Sequence, residues 1–475
     1  MSSSVRVRFA PAPTGMMHLG NIRQALINFL FAQQKKGAFV LRIEDTDTQR
    51  IFDVDAQHIR ADLAWLGITY NEGPGVGGSY GPYFQSQRNP IYAEYLEKLK
   101  HSNDIYRCFC TTEELDRKRQ RQIMLKQAPR YDRTCLHLSP DAVAQKIADG
   151  TPFIWRFNLK PEKITLTDLA HGPIDFDLAN FSDFPLTRQD GSFTFIFANC
   201  VDDITMGITH VFRGEDHLSN SANQAMIYKA LGAPIPLFWH APLMCNNTGK
   251  KLSKRDFGFS LDDLRGAGFV PEAILNYLAS IGVKTATQEI MNTQELIDTI
   301  DFSHHSATST VRYDEDKLRW MNHAWIQRLP LAIITERCRP ILEKSYPQVA
   351  GMSHEQLEYL LGHIRGELST LADAIPLLHG CFHTPNLDVE ALKQYELPKY
   401  KTVIQELIMQ LRAHEEVQVL LDSMKKNYQA LALPAKPLWS IVRIALTGSA
   451  EGTSIKNLLH IIKREEIISR LERIL

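Results

Sequence analysis

The sequence contains no run of about 20 apolar residues of the kind that spans a bilayer. Its most apolar stretch, Leu26–Ala32, is interrupted by Asn28. The segment Met1–Arg8 carries three serines and two arginines and lacks the apolar core of a secretion signal. We therefore expect a protein that does not enter a membrane and that resides in the cytoplasm.

Cysteine and net charge are also low. Seven cysteines among 475 residues form an odd and small set, which argues against a disulfide framework in a chain without a secretion signal. The 53 lysines and arginines nearly balance the 54 aspartates and glutamates, so the net charge of −1 neither favours nor excludes nucleic acid as a partner. At roughly 150 residues per domain, the length predicts about three globular domains.

The first fifty residues predict a strand, a loop, a helix and a second strand. Apolar residues and arginines alternate in Val5–Phe9, and Pro11–Gly15 then favours a loop. The apolar stripe in Ile22–Leu30 has helical spacing, and the apolar run Phe39–Ile43 follows. Two strands joined through a helix pair in parallel, so this segment predicts a doubly wound, Rossmann-type sheet.

The middle of the chain indicates an insertion within that sheet. Strand-like runs occur at Phe153–Phe157 and Ile164–Leu169, and sheet-like signals return at Phe193–Val201 and Ile208–Phe212. A helical stripe follows at Asn223–Ala230. We therefore predict an α/β fold whose parallel catalytic sheet is split by an α+β insertion, followed from about residue 314 by an all-α C-terminal region.

Two short motifs suit a nucleotide. His18 and Gly20 lie at the predicted start of the first helix, where backbone N–H groups attract phosphate and glycine allows close approach. The run Gly249–Arg255 carries four cations in six residues, which suits a polyphosphate. Taken singly, the motifs are also compatible with a helix cap and a solvated basic turn. Together, one on each half of a split sheet, they indicate adenylate-forming chemistry.

A cysteine pattern indicates a structural metal site. Cys108-x-Cys110 is followed by Cys135-x-His137, with 24 residues between the two pairs. Three thiolates and one imidazole complete the tetrahedral set that structural zinc prefers. The alternative is a set of unligated cysteines in a cytosolic fold.

A basic stretch lies between the two cysteine pairs. It is compatible either with a solvated helix face or with a surface that contacts RNA phosphates. Its members are Arg117, Lys118, Arg119, Arg121, Lys126, Arg130 and Arg133.

Seven blocks spread over about the first 320 residues match one known family in order: Arg8–Gly15, His18–Asn21, Arg42–Asp47, Asn199–Asp203, Arg213–His217, Lys251–Arg255 and Leu318–Asn322. In these blocks the sequence resembles class I aminoacyl-tRNA synthetases, and specifically the bacterial glutamyl type. The helical C-terminal third is similar to that family by pattern more than by motif.

This resemblance implies a set of site residues. Catalytic roles fall to His18, Lys251 and Lys254. The ATP site would comprise these three residues together with Gly20, Asp216 and Leu243. The amino-acid pocket would be lined by Arg8, Ala10, Ala12, Glu44, Phe195, Asn199, Arg213 and His217. Two arginines suit the two carboxylates of glutamate, and Glu44 suits its ammonium group.

The pocket departs from the family at two positions. The family usually has serine at the position of Ala12 and tyrosine at that of Phe195, whose hydroxyl would help to hold the side-chain carboxylate. Glutamine specificity is therefore left open by the pocket residues. The helical C-terminal third argues against a glutaminyl enzyme, because those enzymes have an anticodon region that is largely β-barrel.

The resemblance also implies a reaction and its partners. L-Glutamate would be activated by ATP with Mg²⁺ and transferred to the 3′ end of tRNA(Glu) by a monomer with one zinc ion. The implied regions are a split catalytic domain (1–83 and 191–245), an acceptor-end insertion (84–190), a stem-contact region (246–328) and an anticodon-binding region (329–475).

Several alternatives stay open at this point. One is an enzyme that also charges tRNA(Gln) with glutamate, since Glu367 lies near the position of a discriminating arginine in some members. Others are a glutaminyl-tRNA synthetase, an enzyme that transfers an activated amino acid to another acceptor, and a nucleotidyltransferase or RNA-binding protein that keeps only the sheet.

Overall fold

A computed structural model describes residues 4–46, 53, 55–246, 248–252, 258, 260–284, 288–305, 310–387 and 389–475. The chain forms two compact units. Unit 1 comprises Met1–Asp263 and Leu275–Asp314, and unit 2 comprises Leu264–Ile274 and Glu315–Leu475. No helix among the described residues is both long and apolar enough to cross a membrane.

The strands of the described residues all lie in unit 1. They are Arg6–Phe9 (β1), Ala38–Leu41 (β2), Ile105–Cys108 (β3), Ile154–Phe157 (β4), Lys163–Asp168 (β5), Gly172–Asp177 (β6), His210–Gly214 (β7), Leu237–Ala241 (β8), Leu243–Cys245 (β9), Val283–Lys284 (β10), Asp301–His305 (β11) and Thr310–Arg312 (β12).

Ten helices are described before residue 300. They are Leu19–Gln34 (α1), Gln57–Trp65 (α2), Asn89–His101 (α3), Thr112–Met124 (α4), Pro140–Ala148 (α5), Phe195–Thr205 (α6), Leu218–Ala230 (α7), Leu261–Gly266 (α8), Pro271–Ser280 (α9) and Thr293–Thr299 (α10).

The predicted parallel sheet is present. β1 pairs in parallel with β2, and β7 pairs in parallel with β8. The two pairs meet where Thr209 N donates to Arg6 O at 3.0 Å. The first helix, α1, connects β1 to β2, and its apolar residues Ile22, Leu26 and Leu30 are fully buried. The fold class predicted from the sequence is therefore confirmed.

The insertion also contributes to this sheet. The hairpin of β5 and β6 joins its edge, because Asp168 pairs in parallel with Phe238 of β8. One expectation was wrong, since the apolar run Phe193–Val201 does not form sheet but enters helix α6. Phe197 and Val201 on α6 are fully buried against residues of the insertion such as Tyr92, so tertiary packing selects the helix.

Unit 2 is helical, as predicted. Its helices after residue 314 are Glu315–Arg328 (α11), Leu331–Ser345 (α12), His354–Ile364 (α13), Ala374–Phe382 (α14), Val389–Lys393 (α15), Leu397–Arg412 (α16), Val417–Ala430 (α17), Ala435–Thr447 (α18), Ile455–Ile461 (α19) and Arg464–Glu472 (α20).

The continuous helical region begins where the sequence predicts an all-α region, at about residue 314. Helix α11 belongs to it, because buried Asn322 accepts a hydrogen bond from Val270 N and donates one to Ser369 O. The predicted region 246–328 is thus divided between the two units.

Candidate active site

One cleft of about 560 Å³ lies at the carboxyl ends of β1 and β7 and at the start of α1. Ligands of open α/β sheets bind at this edge, and the volume is typical of small-molecule sites. The cleft brings together all but one of the residues that the sequence predicts for the ATP site and the amino-acid pocket. Those that line it are Arg8, Ala10, Ala12, His18, Gly20, Glu44, Phe195, Asn199, Arg213, Asp216, His217, Leu243 and Lys251. The remaining one, Lys254, lies outside the described residues.

His18 caps helix α1 and faces the cleft. Its Nδ1 accepts a hydrogen bond from Asn21 N at 3.3 Å, so the proton of the neutral ring is on Nε2. Burial and the nearby Lys251 charge lower the pKa of His18, which favours that neutral form. A Cβ at Gly20 would lie 2.9 Å from His18 Cε1, so glycine at this position leaves the ring its place. The result is an N–H donor beside the positive end of a helix.

Lys251, in the basic run Gly249–Arg255, is held across the cleft. Lys251 Nζ lies 3.2 Å from a carboxylate oxygen of Asp216. Both side chains are exposed, so the pair contributes little to stability and opens at low cost. Lys251 is therefore available to a polyphosphate.

Two arginines at the base of the cleft share one carboxylate. Arg8 Nε lies 3.1 Å and an Arg42 terminal nitrogen 2.6 Å from Oδ1 of Asp203, and all three side chains are buried. Burial alone would raise the pKa of Asp203, but the charges of Arg8 and Arg42 hold it below its usual value. Asp203 therefore stays ionised and fixes the direction of both guanidinium groups.

Glu44 provides a carboxylate on the amino-acid side of the cleft. Asn199 Nδ2 donates to Glu44 Oε1 at 2.6 Å, and Arg42 lies 3.4 Å from the same oxygen. Burial raises the pKa of Glu44 despite the attraction of Arg42 and Arg8. A buried carboxylate of this kind is stabilised by an incoming ammonium group.

Arg213 differs from Arg8 in its partners. Its guanidinium donates to Gln224 Oε1 at 2.6 Å, to Ser221 Oγ and to His240 Nε2 at 3.2 Å, all of which are neutral acceptors. Among the described residues, Arg213 forms no ion pair with a carboxylate, and burial lowers its pKa to about 10. Arg213 is therefore a desolvated cation that no carboxylate of the described residues contacts directly.

Comparison with known proteins agrees with this geometry. A family model described as the catalytic domain of class I tRNA synthetases (E and Q) matches residues 4–320. The chain belongs to this family. A second model, described as an anticodon-binding domain, matches residues 333–475 of the synthetase.

The similarity to individual relatives covers the whole synthetase. It is 36% identical over 482 residues to the glutamate–tRNA ligase of Sulfurihydrogenibium sp., with 99% of each chain covered. Identity to the glutamate–tRNA ligase of Aquifex aeolicus is 37% over 494 residues, covering 100% of this chain and 99% of the other. The crystal structure of a glutamate tRNA ligase from Elizabethkingia meningosepticum in complex with its amino acid matches with a TM-score of 0.88 at 31% identity and 99% coverage of both chains.

The insertion of the synthetase brings three of the four predicted metal ligands together. The sulfur atoms of Cys108, Cys110 and Cys135 all lie within 4.8 Å of one another. His137 is not part of this group, and its side chain is exposed. An oxygen atom provides a fourth donor beside the three sulfur atoms: the Tyr131 hydroxyl lies 3.3 Å from Cys108 Sγ and 3.7 Å from Cys110 Sγ. The three thiols therefore form a possible metal-binding group.

The cations of the basic stretch between the two cysteine pairs fall into two groups in the structure, those paired with protein groups and those exposed. Lys118, Arg130 and Arg133 are engaged with protein partners, namely Asp132, Ala179 O and Asp183. The remaining cations stay exposed on and beside α4, a helix with no buried side chain. They are Arg117, Arg119, Arg121 and Lys126.

Several residues that shape the cleft had no assigned role in the sequence analysis. Arg42 and Asp203 lie inside motif blocks. Each is a charged residue within or just after an apolar run, and that position could have marked it as a residue of the site. Gln224, Ser221 and His240 are hydrogen-bonded to Arg213, but their distance along the chain from it is 8 to 27 residues. No local pattern identifies such partners.

Proposed function

We propose that this synthetase is a glutamate–tRNA ligase, which activates L-glutamate with ATP and transfers it to the 3′ end of tRNA(Glu). The observation that carries the proposal is the presence in one cleft of two buried arginines, Arg8 and Arg213, and of the carboxylate of Glu44, whose side chain is only 10% exposed. Glutamate has the complementary set of two carboxylates and one ammonium group. The full-length similarity to glutamate–tRNA ligases supports the same substrate.

Activation joins the amino acid to AMP. An oxygen of the α-carboxylate forms a bond to the α-phosphorus of ATP, and the bond from that phosphorus to pyrophosphate breaks. The Nε2–H donor of His18 and the ammonium of Lys251 stabilise the charge that develops on the phosphate oxygens. Lys254, three residues further along the sequence, is assigned to this task from its sequence motif. Mg²⁺ bound to the triphosphate would supply further positive charge and help to orient it.

Transfer requires tRNA at the same cleft. The 2′-hydroxyl of the terminal adenosine attacks the acyl carbon and gives its proton to a phosphate oxygen of AMP, and AMP leaves with the bonding pair, so no protein nucleophile is needed. The exposed cations on and beside α4 support acceptor-end binding by the insertion through phosphate contacts. Helical unit 2, which contains the anticodon-domain match, is assigned to the anticodon. We further assign the active form as a monomer.

Aminoacylation with purified components tests the function. The enzyme is incubated with ATP, Mg²⁺ and either tRNA(Glu) or tRNA(Gln), each with glutamate or glutamine. Charging of tRNA(Glu) by glutamate alone supports the proposal. Glutamate on both tRNAs would indicate a non-discriminating enzyme, and glutamine on tRNA(Gln) would indicate a glutaminyl enzyme. Failure to charge either tRNA with either amino acid would exclude all three.

Phe195 gives a prediction about amino-acid affinity. Its ring lies at the start of α6, with its centroid 5.7 Å from that of His217, and it offers the substrate no hydroxyl. A hydrogen bond to a charged group contributes about 1.5–3 kcal/mol. We expect Phe195→Tyr to lower the KM for glutamate about tenfold, measured by aminoacylation. Phe181→Tyr, which adds a hydroxyl outside the cleft, is the matched control. An unchanged KM in Phe195→Tyr would show that another group already serves the carboxylate.

We propose that the cysteine group binds one structural Zn²⁺ through Cys108, Cys110, Cys135 and the Tyr131 oxygen. The donor chemistry fits, because thiolates are preferred zinc ligands and four donors close the coordination shell. Phe109 N also donates to Cys135 Sγ at 3.3 Å, which orients that thiolate. The ion would hold β3 to the segment around Tyr131 and have no role in the chemical step.

Metal analysis tests the zinc site. We expect one equivalent of zinc in the wild type and none in Cys135→Ser, because loss of one thiolate opens the shell. Cys381→Ser, a cysteine of unit 2 outside the group, should keep the metal. Tyr131→Phe should weaken zinc retention against a chelator while His137→Ala should not, and the reverse order would assign the fourth position to His137. Wild-type enzyme that contains no zinc when purified without chelator would contradict the proposal.

A further inference from the structure

A chain of buried polar groups reaches Arg213 from Asp168, the last residue of β5. Oδ2 of Asp168 lies 2.7 Å from His240 Nδ1 and accepts from His240 N at 3.1 Å. On the far side of the ring, His240 Nε2 lies 3.2 Å from Arg213 Nε and 3.0 Å from Ser221 Oγ. Asp168, His240 and Ser221 are each at most 2% exposed. The sequence analysis and the proposed reaction assign no role to Asp168 or His240.

The state of Asp168 sets the state of His240. The other carboxylate oxygen of Asp168 accepts from the backbone N–H groups of Ala170 and His171 at 2.9 Å, and His171 Nδ1 lies 2.9 Å from it. Burial would raise the pKa of Asp168, but the hydrogen bond with His240 and those with His171 and Ala170 hold it at about 2, so it is a carboxylate that can only accept. His240 must therefore present Nδ1–H to Asp168.

The opposite nitrogen of His240 then acts as an acceptor. Burial lowers the pKa of His240, and a neutral ring protonated on Nδ1 has a lone pair on Nε2. That lone pair faces the Nε–H of Arg213. In the other neutral tautomer, Nε2–H would point at Arg213 Nε–H, and two donors would repel. The carboxylate thus fixes the direction of Arg213 through the ring.

The ring also keeps the carboxylate away from the arginine. Arg8 contacts Asp203 directly, which neutralises much of its charge, whereas Arg213 is separated from Asp168 by an imidazole. A guanidinium that is aligned by neutral partners in a low-dielectric cleft attracts an anion strongly. His240 therefore fixes the direction of the Arg213 guanidinium, while the positive charge of that group stays available to a carboxylate of the substrate.

We propose that Asp168 and His240 are positioning residues that orient Arg213, without compensating its charge, toward a carboxylate of the amino-acid substrate. The inference rests on the proposed function of the cleft. It makes the affinity for glutamate depend on two residues that do not line the cleft themselves. The affinity for ATP should not depend on them, because the network continues from Arg213 through Gln224 to Asn199 and Glu44, which are both assigned to the amino-acid pocket.

Two substitutions of His240 test the proposal in the full-length enzyme. His240→Gln places an amide near the Nε2 position and can still accept from Arg213. His240→Asn places an amide near the Nδ1 position and can donate to Asp168 but does not reach Arg213. Both introduce an amide into the same cavity, so their structural costs are similar. We expect His240→Asn to raise the KM for glutamate about tenfold or more and His240→Gln to raise it less than about threefold.

The comparison with ATP and with a control variant separates positioning from folding. The KM for ATP should stay unchanged in both variants, and His171→Asn, on the other oxygen of Asp168, should leave both KM values unchanged. Equal glutamate KM values in the two His240 variants, or a parallel rise in the KM for ATP, would overturn the inference while the wild type still charges tRNA. A wild type that does not charge tRNA with glutamate would overturn the proposed function and this inference with it.

Discussion

Arg8→Ala is expected to lower kcat/KM for glutamate about 10²–10³-fold. Removing one partner of a buried charge pair costs about 3–5 kcal/mol, because the other charge stays desolvated, and each 1.4 kcal/mol is a factor of ten. Here the unpaired charge is the side-chain carboxylate of glutamate. Asp203 keeps Arg42 at 2.6 Å, so the variant retains one ion pair at the base of the cleft.

A comparison with glutamine tests whether Arg8 recognises the charge of the substrate side chain. Its side-chain amide carries no charge, so the inhibition constant of glutamine should change much less than the KM for glutamate. Arg6→Ala is the matched control, since Arg6 lies two residues earlier on the same strand and pairs with Glu72 at 2.8 Å, outside the cleft. Equal losses for glutamate and glutamine would show that Arg8 does not read the side chain.

Asp203→Asn is expected to lower the free energy of unfolding of unit 1 by about 3–5 kcal/mol. The substitution keeps the shape of the side chain but leaves Arg8 and Arg42 buried without the carboxylate that both contact. Urea unfolding measures the total effect. Hydrogen exchange of the β1 and β2 amides shows whether the loss is local to the strands that carry the two arginines.

An exposed aspartate provides the control for that experiment. Asp141→Asn, in the first turn of α5, should change the free energy of unfolding by less than about 0.5 kcal/mol. If Asp203→Asn costs less than about 1 kcal/mol, then Asp203 is not what stabilises the buried arginines, and the neighbouring Asp202 carries more of the compensation than its contacts suggest.

The parts of the fold that were predictable from the sequence depend on local patterns. The β1 to β2 unit has a period-2 strand, a turn segment and a helix stripe within forty residues, and each pattern indicates its own element. Phe193–Val201 was misread because an apolar run lacks a period that separates a buried strand from a buried helix. Its packing against the insertion, which begins some hundred residues earlier, decides the outcome.

Site residues that belong to short sequence motifs were predictable. Residues that reach the site only because the fold brings distant segments together were not. His18 and Lys251 follow from short motifs, and the structure brings both to one cleft. The spacing of Cys135 and His137 suggested a ligand pair, but the fold places the Tyr131 hydroxyl beside the thiols instead. His240 had no such signal, because its partner Asp168 is 72 residues away.

The shared carboxylate of Asp203 also bears on how the nascent chain folds. Arg42 emerges from the ribosome 161 residues before the aspartate that it contacts, and Arg8 does so 195 residues before it. At about 5–20 residues per second, translation of the intervening segment takes on the order of ten to thirty seconds. Burying Arg42 during that interval would place its guanidinium in an apolar environment without Asp202 and Asp203, to which it lies at 3.6 and 2.6 Å in the folded protein. The first βαβ unit is therefore expected to stay open during synthesis, and its closure should follow translation of α6.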